Sequence, residues 1–429
     1  MNSNPTRDTL CLALTASLAR VIEYGASGAP AKRRALSSLR ALPRSPLACY
    51  ARRALDAARE AARPVGPLRS RTRYLQIRQF LGSNLLAWIT SYLRNRFGPR
   101  HVLPDYRRAA DSGVYPLDSD GGSVRVSMAG DWASGTDEAA AVAAAISAWH
   151  PHFTIHLGDV YYVGDDAEAR STFLGERTSS YQPTRWPRGS IATFALNGNH
   201  EMYARGMAYF DVLLPRLGFT AGVPQRASFF CLENQHWRIL ALDTGYNSVA
   251  WPLLEELPFA PFAPANDLSG AQMRWLAQTL GSDQGQALVI LSHHPPYSRF
   301  ERGYVKPARQ LKRLLRGPVL WFWGHEHRLA VYHRYSRDGG IEAYGRGVGH
   351  GGMPVELHPR VVDDRLSLAF TDARRYPNEQ QIEVGYNGYA NLTFTGNSLE
   401  VVYRDLHGDA VFSESWRAAA GALTPIAVT

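Results

Sequence analysis

The sequence predicts a layered α/β fold preceded by a basic helical region. Short apolar strand candidates alternate with helical patterns after about residue 120. Charge is divided unevenly: residues 1–110 contain 20 Lys and Arg against 5 Asp and Glu, whereas the remainder contains 27 against 33. A chain of 429 residues also exceeds the roughly 100 to 200 residues of one typical domain. We therefore expect a helical domain at residues 1–110 and a catalytic domain at 111–429.

The first region reads as a small helix bundle. It is rich in Ala and Arg and is interrupted by prolines between residues 43 and 67. Apolar residues recur at helical spacing between Leu81 and Leu93, which predicts an amphipathic helix.

The second region alternates strand and helix signals. Apolar runs predict strands at 124–129, 153–157, 191–196, 237–242, 287–291 and 319–323. Helical patterns occupy 136–149 and 269–280, and the second opens on a capping residue, Ser269. The stretch 388–411 returns to strand-like alternation, with turn signals at 396–397 and 408–409. Alternation of this kind predicts layers of helices packed on sheets.

Composition sets the class of protein and the expected compartment. Hydrophobic residues make up 45% and charged residues 20%, as in folded globular proteins. Three scattered cysteines argue against a disulfide framework and against a thiolate zinc site. No apolar run approaches the roughly 20 residues that cross a bilayer, and Leu10, Leu14 and Leu18 have helical rather than signal-peptide character. We expect a cytoplasmic protein, with peripheral membrane association left open.

Polar motifs follow five of the predicted strands. In chain order they are Gly130-Asp131-Trp132-Ala133, Gly158-Asp159-Val160-Tyr161-Tyr162, Asn197-Gly198-Asn199-His200-Glu201, Ser292-His293-His294-Pro295 and Gly324-His325-Glu326-His327. Ligand sites of α/β sheets lie beyond the carboxyl ends of the strands, so these loops are expected to meet in one crevice.

The residue types in these loops are metal ligands. Carboxylates, an amide oxygen, imidazoles and a phenolate suit zinc, iron and manganese. One carboxylate can bridge two ions, which hydrolytic two-metal sites hold about 3.5 to 4 Å apart. A single Gly-Asp pair is most often a turn, but five motifs in order indicate a metal site.

The five blocks resemble the calcineurin-like metallophosphoesterases and, among them, the purple acid phosphatases. The resemblance covers about residues 120 to 410 and does not reach the first 110. The broader superfamily has histidine where this chain has Ala133, while the purple acid phosphatases have glycine there and a tyrosine three residues after the second aspartate. Tyr162 stands at that place, which implies a ferric ion. The implied fold is an α-β-β-α sandwich.

The resemblance also implies roles for individual residues. The first metal would be held by Asp131, Asp159, Tyr162 and His327, and the second by Asp159, Asn199, His293 and His325. The pair would be iron with iron, zinc or manganese. His200 would contact the phosphate or protonate the leaving oxygen, as suits an imidazole near neutral pH.

Neighbouring residues are weaker candidates for contacting substrate. Asn199 and His200 lie nearest the expected phosphate, and His294, Arg299 and His350 are further candidates. His294 can instead point to the opposite face of its strand, a loop arginine is often solvated, and glycine-rich loops such as 345–352 are often only turns.

The predicted activity is hydrolysis of phosphate monoesters on a small or macromolecular substrate by attack of metal-bound hydroxide. The sequence contains no Gly-x-Ser-x-Gly elbow, phosphate-binding Gly-rich loop or cysteine nucleophile signature. Alternatives are a phosphodiesterase acting on nucleotides or lipids and a catalytically silent metal-binding regulatory module. A non-phosphate metallohydrolase would have a His-x-His-x-Asp-His cluster, which this sequence lacks.

The basic N-terminal region has several interpretations. Arginine-rich helices can bind nucleic acid or acidic lipid, cover an acidic surface of the catalytic domain, or form a solvated face. The sequence leaves all of these open.

Overall fold

A computed structural model describes residues 91–428, with gaps at 93, 107–111, 179–182, 250–265, 282–284, 302, 337–339, 356, 358–360 and 378–382. Most of the predicted helical domain, residues 1–90, lies outside the described residues. Residues 91, 92 and 94–96 are helical, and residues 98–105 continue without regular secondary structure toward the first strand.

In the part of the chain that the structure describes, the β structure consists of two eight-stranded sheets and one small hairpin. The first sheet contains, in spatial order, β1 (Val114–Pro116), β6 (Phe230–Glu233), β7 (Trp237–Ala241), β8 (Ala287–Ser292), β9 (Val319–Trp323), β11 (Glu342–Val348), β10 (Leu329–Ser336) and β12 (Leu368–Thr371). The second contains β18 (Ala422–Val428), β17 (Ala410–Ala419), β16 (Ser398–Asp405), β15 (Gly388–Thr395), β2 (Ser123–Ala129), β3 (Phe153–His156), β4 (Ala192–Ala195) and β5 (Gly218–Phe219). The hairpin pairs β13 (Arg375–Pro377) with β14 (Glu383–Gly385).

Among the described residues, the helices that follow β1 are short and connect the strands. They are α1 (Asp137–Ala148), α2 (Asp166–Glu168), α3 (Asn199–Tyr203), α4 (Gly270–Gly281) and α5 (Val305–Leu311), with π-helical turns at Ala169–Phe173 and Tyr209–Leu213 and a 3₁₀ turn at Leu214–Arg216. Helix α1 begins after Thr136, whose hydroxyl accepts the Ala139 N–H at 3.1 Å. Ser269 does the same for Gln272 at the start of α4, also at 3.1 Å, as its sequence position predicts.

The sheets pack face to face, and helices cover their outer faces. Strand β2 turns Val124, Val126 and Met128 inward at every second position, into a core shared with residues of β7, β8 and β9. On the outer side, α1 packs on the second sheet and α4 on the first. This arrangement is the predicted α-β-β-α sandwich, and the strands and helices predicted between 124 and 323 all occur within a residue or two of their expected bounds.

One buried ion pair joins the two sheets. The Arg346 guanidinium on β11 donates through Nε to Glu414 Oε1 at 2.7 Å and through Nη2 to Glu414 Oε2 at 2.5 Å, and Glu414 lies on β17. The Tyr403 hydroxyl also donates to Glu414, at 2.7 Å. Both charged side chains are almost fully buried.

Parallel strands at the centre of each sheet bring the carboxyl ends of several strands to one edge. In the second sheet β2, β3 and β4 run parallel, and in the first sheet β7, β8, β9 and β11 do so. The carboxyl ends of these strands carry the polar motifs of the sequence.

Candidate metal centre

The motif loops of the two sheets meet in one place. Asp131, Asp159 and Asn199 follow strands of the second sheet, while His293 and His325 follow strands of the first. The approach is close: a Cβ added at Gly130 would lie 2.7 Å from the Cα of Gly324, and one at Gly198 would lie 2.1 Å from Asp159 Oδ1. Only glycine fits at these two positions.

A first group of donors surrounds one tyrosine hydroxyl. The Tyr161 hydroxyl lies 2.6 Å from Asp131 Oδ1, 3.0 Å from His327 Nε2 and 3.2 Å from Asp159 Oδ2. His327 Nε2 is itself 3.5 Å from Asp131 Oδ1. Two carboxylates, a phenol and an imidazole therefore converge on one small volume.

A second group lies on the other side of Asp159. His293 Nε2 is 3.1 Å from Asn199 Oδ1 and 3.3 Å from Asp159 Oδ1. His325 Nδ1 is 3.1 Å from the same amide oxygen and 3.3 Å from His293 Nε2. Two imidazole nitrogens that face each other and a shared amide oxygen present several lone pairs to one point, which is an arrangement that fits a cation.

The hydrogen bond of His293 Nδ1 determines which ring nitrogen can bind a metal. His293 Nδ1 lies 2.9 Å from the carbonyl oxygen of Leu157, so in the neutral ring Nδ1 carries the proton and donates it to that carbonyl. This leaves the Nε2 lone pair for a metal, as the outer hydrogen bonds of metal-binding histidines commonly do.

Asp159 belongs to both groups. Its Oδ2 faces Tyr161 and its Oδ1 faces His293, and Oδ1 also accepts the backbone N–H of His200 at 2.9 Å. The two oxygens of one carboxylate therefore point toward the two groups, which is the geometry a bridging ligand requires.

The tyrosine at the first group is not the one predicted. The sequence spacing assigns this place to Tyr162, but the hydroxyl among the donors is that of Tyr161. Tyr162 contributes its backbone instead: its N–H donates to Glu168 Oε1 at 2.5 Å and its carbonyl oxygen lies 2.6 Å from His200 Nδ1. The remaining six predicted ligands all have donor atoms in the two groups.

Three donor residues have a left-handed backbone. The φ angles are 57° at Asp131, 73° at Asp159 and 64° at His325. Asp and His tolerate this region better than β-branched or bulky residues do, although it is sparsely populated for any side chain other than glycine. Such strain is characteristic of functional sites, where the surrounding structure holds the residue in place.

The buried charges at the centre are mutually dependent. Burial raises the pKa of the Asp159 carboxyl, but the adjacent His293 and His200 lower it, so that it lies well below its usual range. Burial lowers the pKa of His293, and the Asp159 charge more than reverses this, to about 9. Without an ion, the His293 proton therefore balances Asp159, and a cation binding there would displace that proton.

His200 lies beside the shared carboxylate. Its Nδ1 faces the Tyr162 carbonyl, its Nε2 is 3.7 Å from Asp159 Oδ2, and its ring packs against Tyr161 at 4.4 Å. Burial lowers the pKa of His200. With Nδ1–H donating to the carbonyl, Nε2 is the atom that can exchange a proton at the centre.

The other predicted substrate contacts lie in different surroundings. His294 lies beside the second group, with its ring 4.7 Å from that of His325 and its Nδ1 3.1 Å from Thr244 Oγ1. Arg299 donates to the carbonyl oxygens of Asp364 and Leu366, in the loop before β12. His350 lies with Nε2 against Gly388 of β15, and burial lowers its pKa to about 4, so it offers no positive charge to a phosphate near neutral pH.

Two buried glutamates that sequence reasoning did not single out hold the loops in shape. Glu168 Oε2 accepts the backbone N–H groups of Val163 and Gly164 at 2.8 and 2.7 Å. Glu201 Oε2 accepts those of Asp159 and Gly198 at 3.2 and 3.0 Å. Glu201 is part of the Asn-His-Glu motif, but nothing in the sequence near Glu168 marks it. The Tyr304 hydroxyl lies 3.1 Å from His325 Nε2, and no motif in the sequence marks Tyr304 either.

The sandwich brings carboxylate, amide and imidazole side chains together in groups that could hold a metal ion. Residues 124–329 match the family model described as calcineurin-like phosphoesterase. The matched residues contain all five motif loops and all seven predicted ligands.

Several solved structures are similar at low identity. The chain is 13% identical to GAP50, the anchor in the inner membrane complex of Plasmodium, with 69% of this chain and 89% of that one covered and a TM-score of 0.43. It is 14% identical to PhoD over 73% of each chain, also with a TM-score of 0.43. A predicted phosphoesterase from Streptococcus pneumoniae is 10% identical over 71% of this chain and 97% of that one, with a TM-score of 0.25. Among curated proteins, none matches this chain.

Within the part of the chain that the structure describes, no helix is both long enough and apolar enough to cross a bilayer.

Proposed function

We propose that this protein is a phosphatase of the purple acid phosphatase type, which hydrolyses phosphate monoesters at a two-metal site. The observation that carries the proposal is Asp159, whose two carboxylate oxygens face two separate groups of donors. A single-ion site would have no use for a second set of ligands on the far side of the same carboxylate.

The two groups divide the ligands between two positions. Asp131, Asp159, Tyr161 and His327 would hold the first ion, and Asp159, Asn199, His293 and His325 the second. The phenol in the first group favours iron there, with iron, zinc or manganese at the second. When bound, such ions supply an activated water as the nucleophile and neutralise the phosphate oxygens.

The chain's own residues complete the proposed reaction. His200 holds its Nδ1 proton against the Tyr162 carbonyl, which turns Nε2 toward the centre. In the protonated ring, Nε2–H can donate to a phosphate oxygen and can then transfer its proton to the leaving oxygen. Asn199 and His294 line the same side and would contact the phosphate. Asp131 and Asp159 are buried, whereas His325 and His327 remain 18% and 19% exposed, so substrate would enter on the histidine side.

The N-terminal proposals rest on charge and on the contacts of residues 91–106. The basic character of residues 1–110 supports an anionic partner, either nucleic acid or acidic lipid, and with it a peripheral membrane association of a cytoplasmic enzyme. The His101 N–H donates to the Arg205 carbonyl oxygen at 3.0 Å, and the Tyr246 hydroxyl donates to the His101 carbonyl oxygen at 2.8 Å. These contacts support a catalytic unit that begins before residue 111, near residue 91.

The test combines ion content with activity on one sample. Elemental analysis should find about two ions per chain, and the purified protein should hydrolyse an aryl phosphate faster than the corresponding bis-aryl diester. Asp159→Asn should lose both ions and the activity. Asp405→Asn is the matched control, because Asp405 is equally buried, at 2% exposure, but lies on β16 and accepts the N–H groups of His407 and Asp409 instead.

Each result has a definite meaning. A protein that takes up no iron, zinc or manganese would refute the two-metal proposal and leave a regulatory module in its place. Faster diester hydrolysis would replace the monoesterase proposal by phosphodiesterase activity. Activity that survives Asp159→Asn at the level of Asp405→Asn would show that the chemistry occurs elsewhere.

A further inference from the structure

The side-chain amide of Asn199 can act as a ligand in only one of its two orientations. An amide presents an oxygen and an NH₂ group at nearly equivalent positions, and only the oxygen has lone pairs for a cation. In the structure Asn199 Oδ1 lies 3.1 Å from both His293 Nε2 and His325 Nδ1, in the second group. Some contact must therefore hold the NH₂ group away from this group.

Tyr203 supplies that contact. Asn199 Nδ2 donates to the Tyr203 hydroxyl at 2.7 Å. The two residues are the first and last of α3, four positions apart, so their side chains lie on the same face of the helix. While the hydroxyl accepts from the NH₂ group, the amide oxygen stays toward the two histidine nitrogens. Without this contact the amide is free to turn and place its NH₂ group where a cation would bind.

The Tyr203 ring is itself held by its surroundings. It is almost fully buried, and its ring centroid lies 4.8 Å from that of His200 and 5.6 Å from that of Tyr92. Tyr92 belongs to the helical segment before the first strand, and both rings lie in one apolar cluster with Val163 and Met202. Ser91 of the same segment hydrogen-bonds to Asp165 in the loop after β3. Residues that precede the matched domain thus pack directly behind the Asn199 support.

We propose that Tyr203 is a positioning residue, which fixes Asn199 with its oxygen toward the second ion position. The inference rests on the proposed two-metal function and assigns the support of one of its ligands. Outer hydrogen bonds to metal ligands commonly change ion affinity by roughly 10- to 100-fold. The loss of the Tyr203 hydroxyl should therefore affect the second ion and leave the first ion in place.

The experiment compares two buried tyrosines that each lose one hydroxyl. Tyr203→Phe removes the support of Asn199. Tyr209→Phe is the control, since Tyr209 is also fully buried and its hydroxyl donates to the Ala195 carbonyl oxygen, likewise at 2.7 Å. Ion content is measured by elemental analysis after dialysis against a graded series of chelator concentrations, with zinc or manganese offered at the second position. Thermal unfolding in excess chelator reports the stability of each ion-free variant.

Tyr203→Phe is expected to weaken binding of the second ion by about 10- to 100-fold, with the first ion retained. Tyr209→Phe is expected to bind both ions as the wild type does, even if its ion-free thermal midpoint falls as far as that of Tyr203→Phe. In an Asn199→Asp background both terminal atoms are oxygens, so adding Tyr203→Phe should weaken the second ion less than it does in the wild type.

The outcomes separate this inference from the proposed function. Unchanged second-ion affinity in Tyr203→Phe, or an equal loss in Tyr209→Phe, would overturn the positioning role while two-ion binding by the wild type still stood. An equal loss in the Asn199→Asp background would show that amide orientation is not what Tyr203 supplies. A wild-type protein that binds fewer than two ions would remove the proposed two-metal function and this inference with it.

Discussion

Replacing Tyr161 by Phe removes a hydroxyl that lies within 3.2 Å of Asp131, Asp159 and His327. Loss of an outer hydrogen bond to a ligand costs about 10- to 100-fold in ion affinity, and a direct ligand should cost at least the upper figure. We therefore expect the affinity for the first ion to fall by at least about 100-fold, or about 2.8 kcal/mol. If this ion is ferric, the tyrosinate-to-iron absorption band should disappear as well.

Tyr162→Phe is the matched comparison, because it removes the hydroxyl of the adjacent residue but keeps both backbone contacts. The N–H to Glu168 and the carbonyl contact with His200 remain available in the variant. We expect Tyr162→Phe to retain the first ion and the absorption band. Titration with iron, followed by visible absorption and elemental analysis, measures both variants. A band lost in Tyr162→Phe and kept in Tyr161→Phe would refute the assignment and restore the one given by sequence spacing.

Three further outcomes are expected. Glu414→Ala should lower the free energy of unfolding by about 3 to 5 kcal/mol in urea denaturation, because it leaves the Arg346 guanidinium buried without its partner. Glu342→Ala, which breaks an exposed Arg–Glu pair, should lower it by at most about 1 kcal/mol. Equal losses in the two variants would contradict the reasoning. Removing bound ions with a chelator should destabilise the protein by about 2.7 kcal/mol for each ion, relative to ions at 100 times their dissociation constant, as followed by thermal unfolding. A chelator should not change the Asp159→Asn variant. His200→Gln should lower kcat by about 10²- to 10⁴-fold with ion content unchanged, and a variant that loses its ions equally would place His200 among the ligands rather than among the proton donors.

The central strands were predictable because they are buried on both faces, and the helices because of their capping residues. Strand β9 is five consecutive apolar residues, Val319–Trp323, and helix α1 has a capping threonine with acidic residues in its first turn. The meander from β15 to β17 was readable from its turn residues at 396–397 and 408–409. Outer strands gave weaker signals: β12 and β13 are only partly buried, so their sequences lack a sharp apolar pattern.

The same contrast holds within the candidate site. Asp131, Asp159 and His325 could be predicted because each ends a strong strand and follows a glycine. Spacing selected Tyr162 over Tyr161, but the course of the loop decides which of two adjacent hydroxyls turns inward, and it turns that of Tyr161 toward the donors. Arg299 was harder still, because its partners are backbone carbonyls in a distant loop that no motif records.

The donor groups draw on both halves of the sandwich, and this has a mechanical consequence. Asp159 and Asn199 extend from the second sheet, while His293 and His325 extend from the first, so an ion at the second position would fasten one sheet to the other. Sliding of one sheet over the other would pull these ligands apart. The ion would thus cross-link the two sheets. Its removal should speed amide hydrogen exchange in β3 and β8 together, although these strands lie in different sheets.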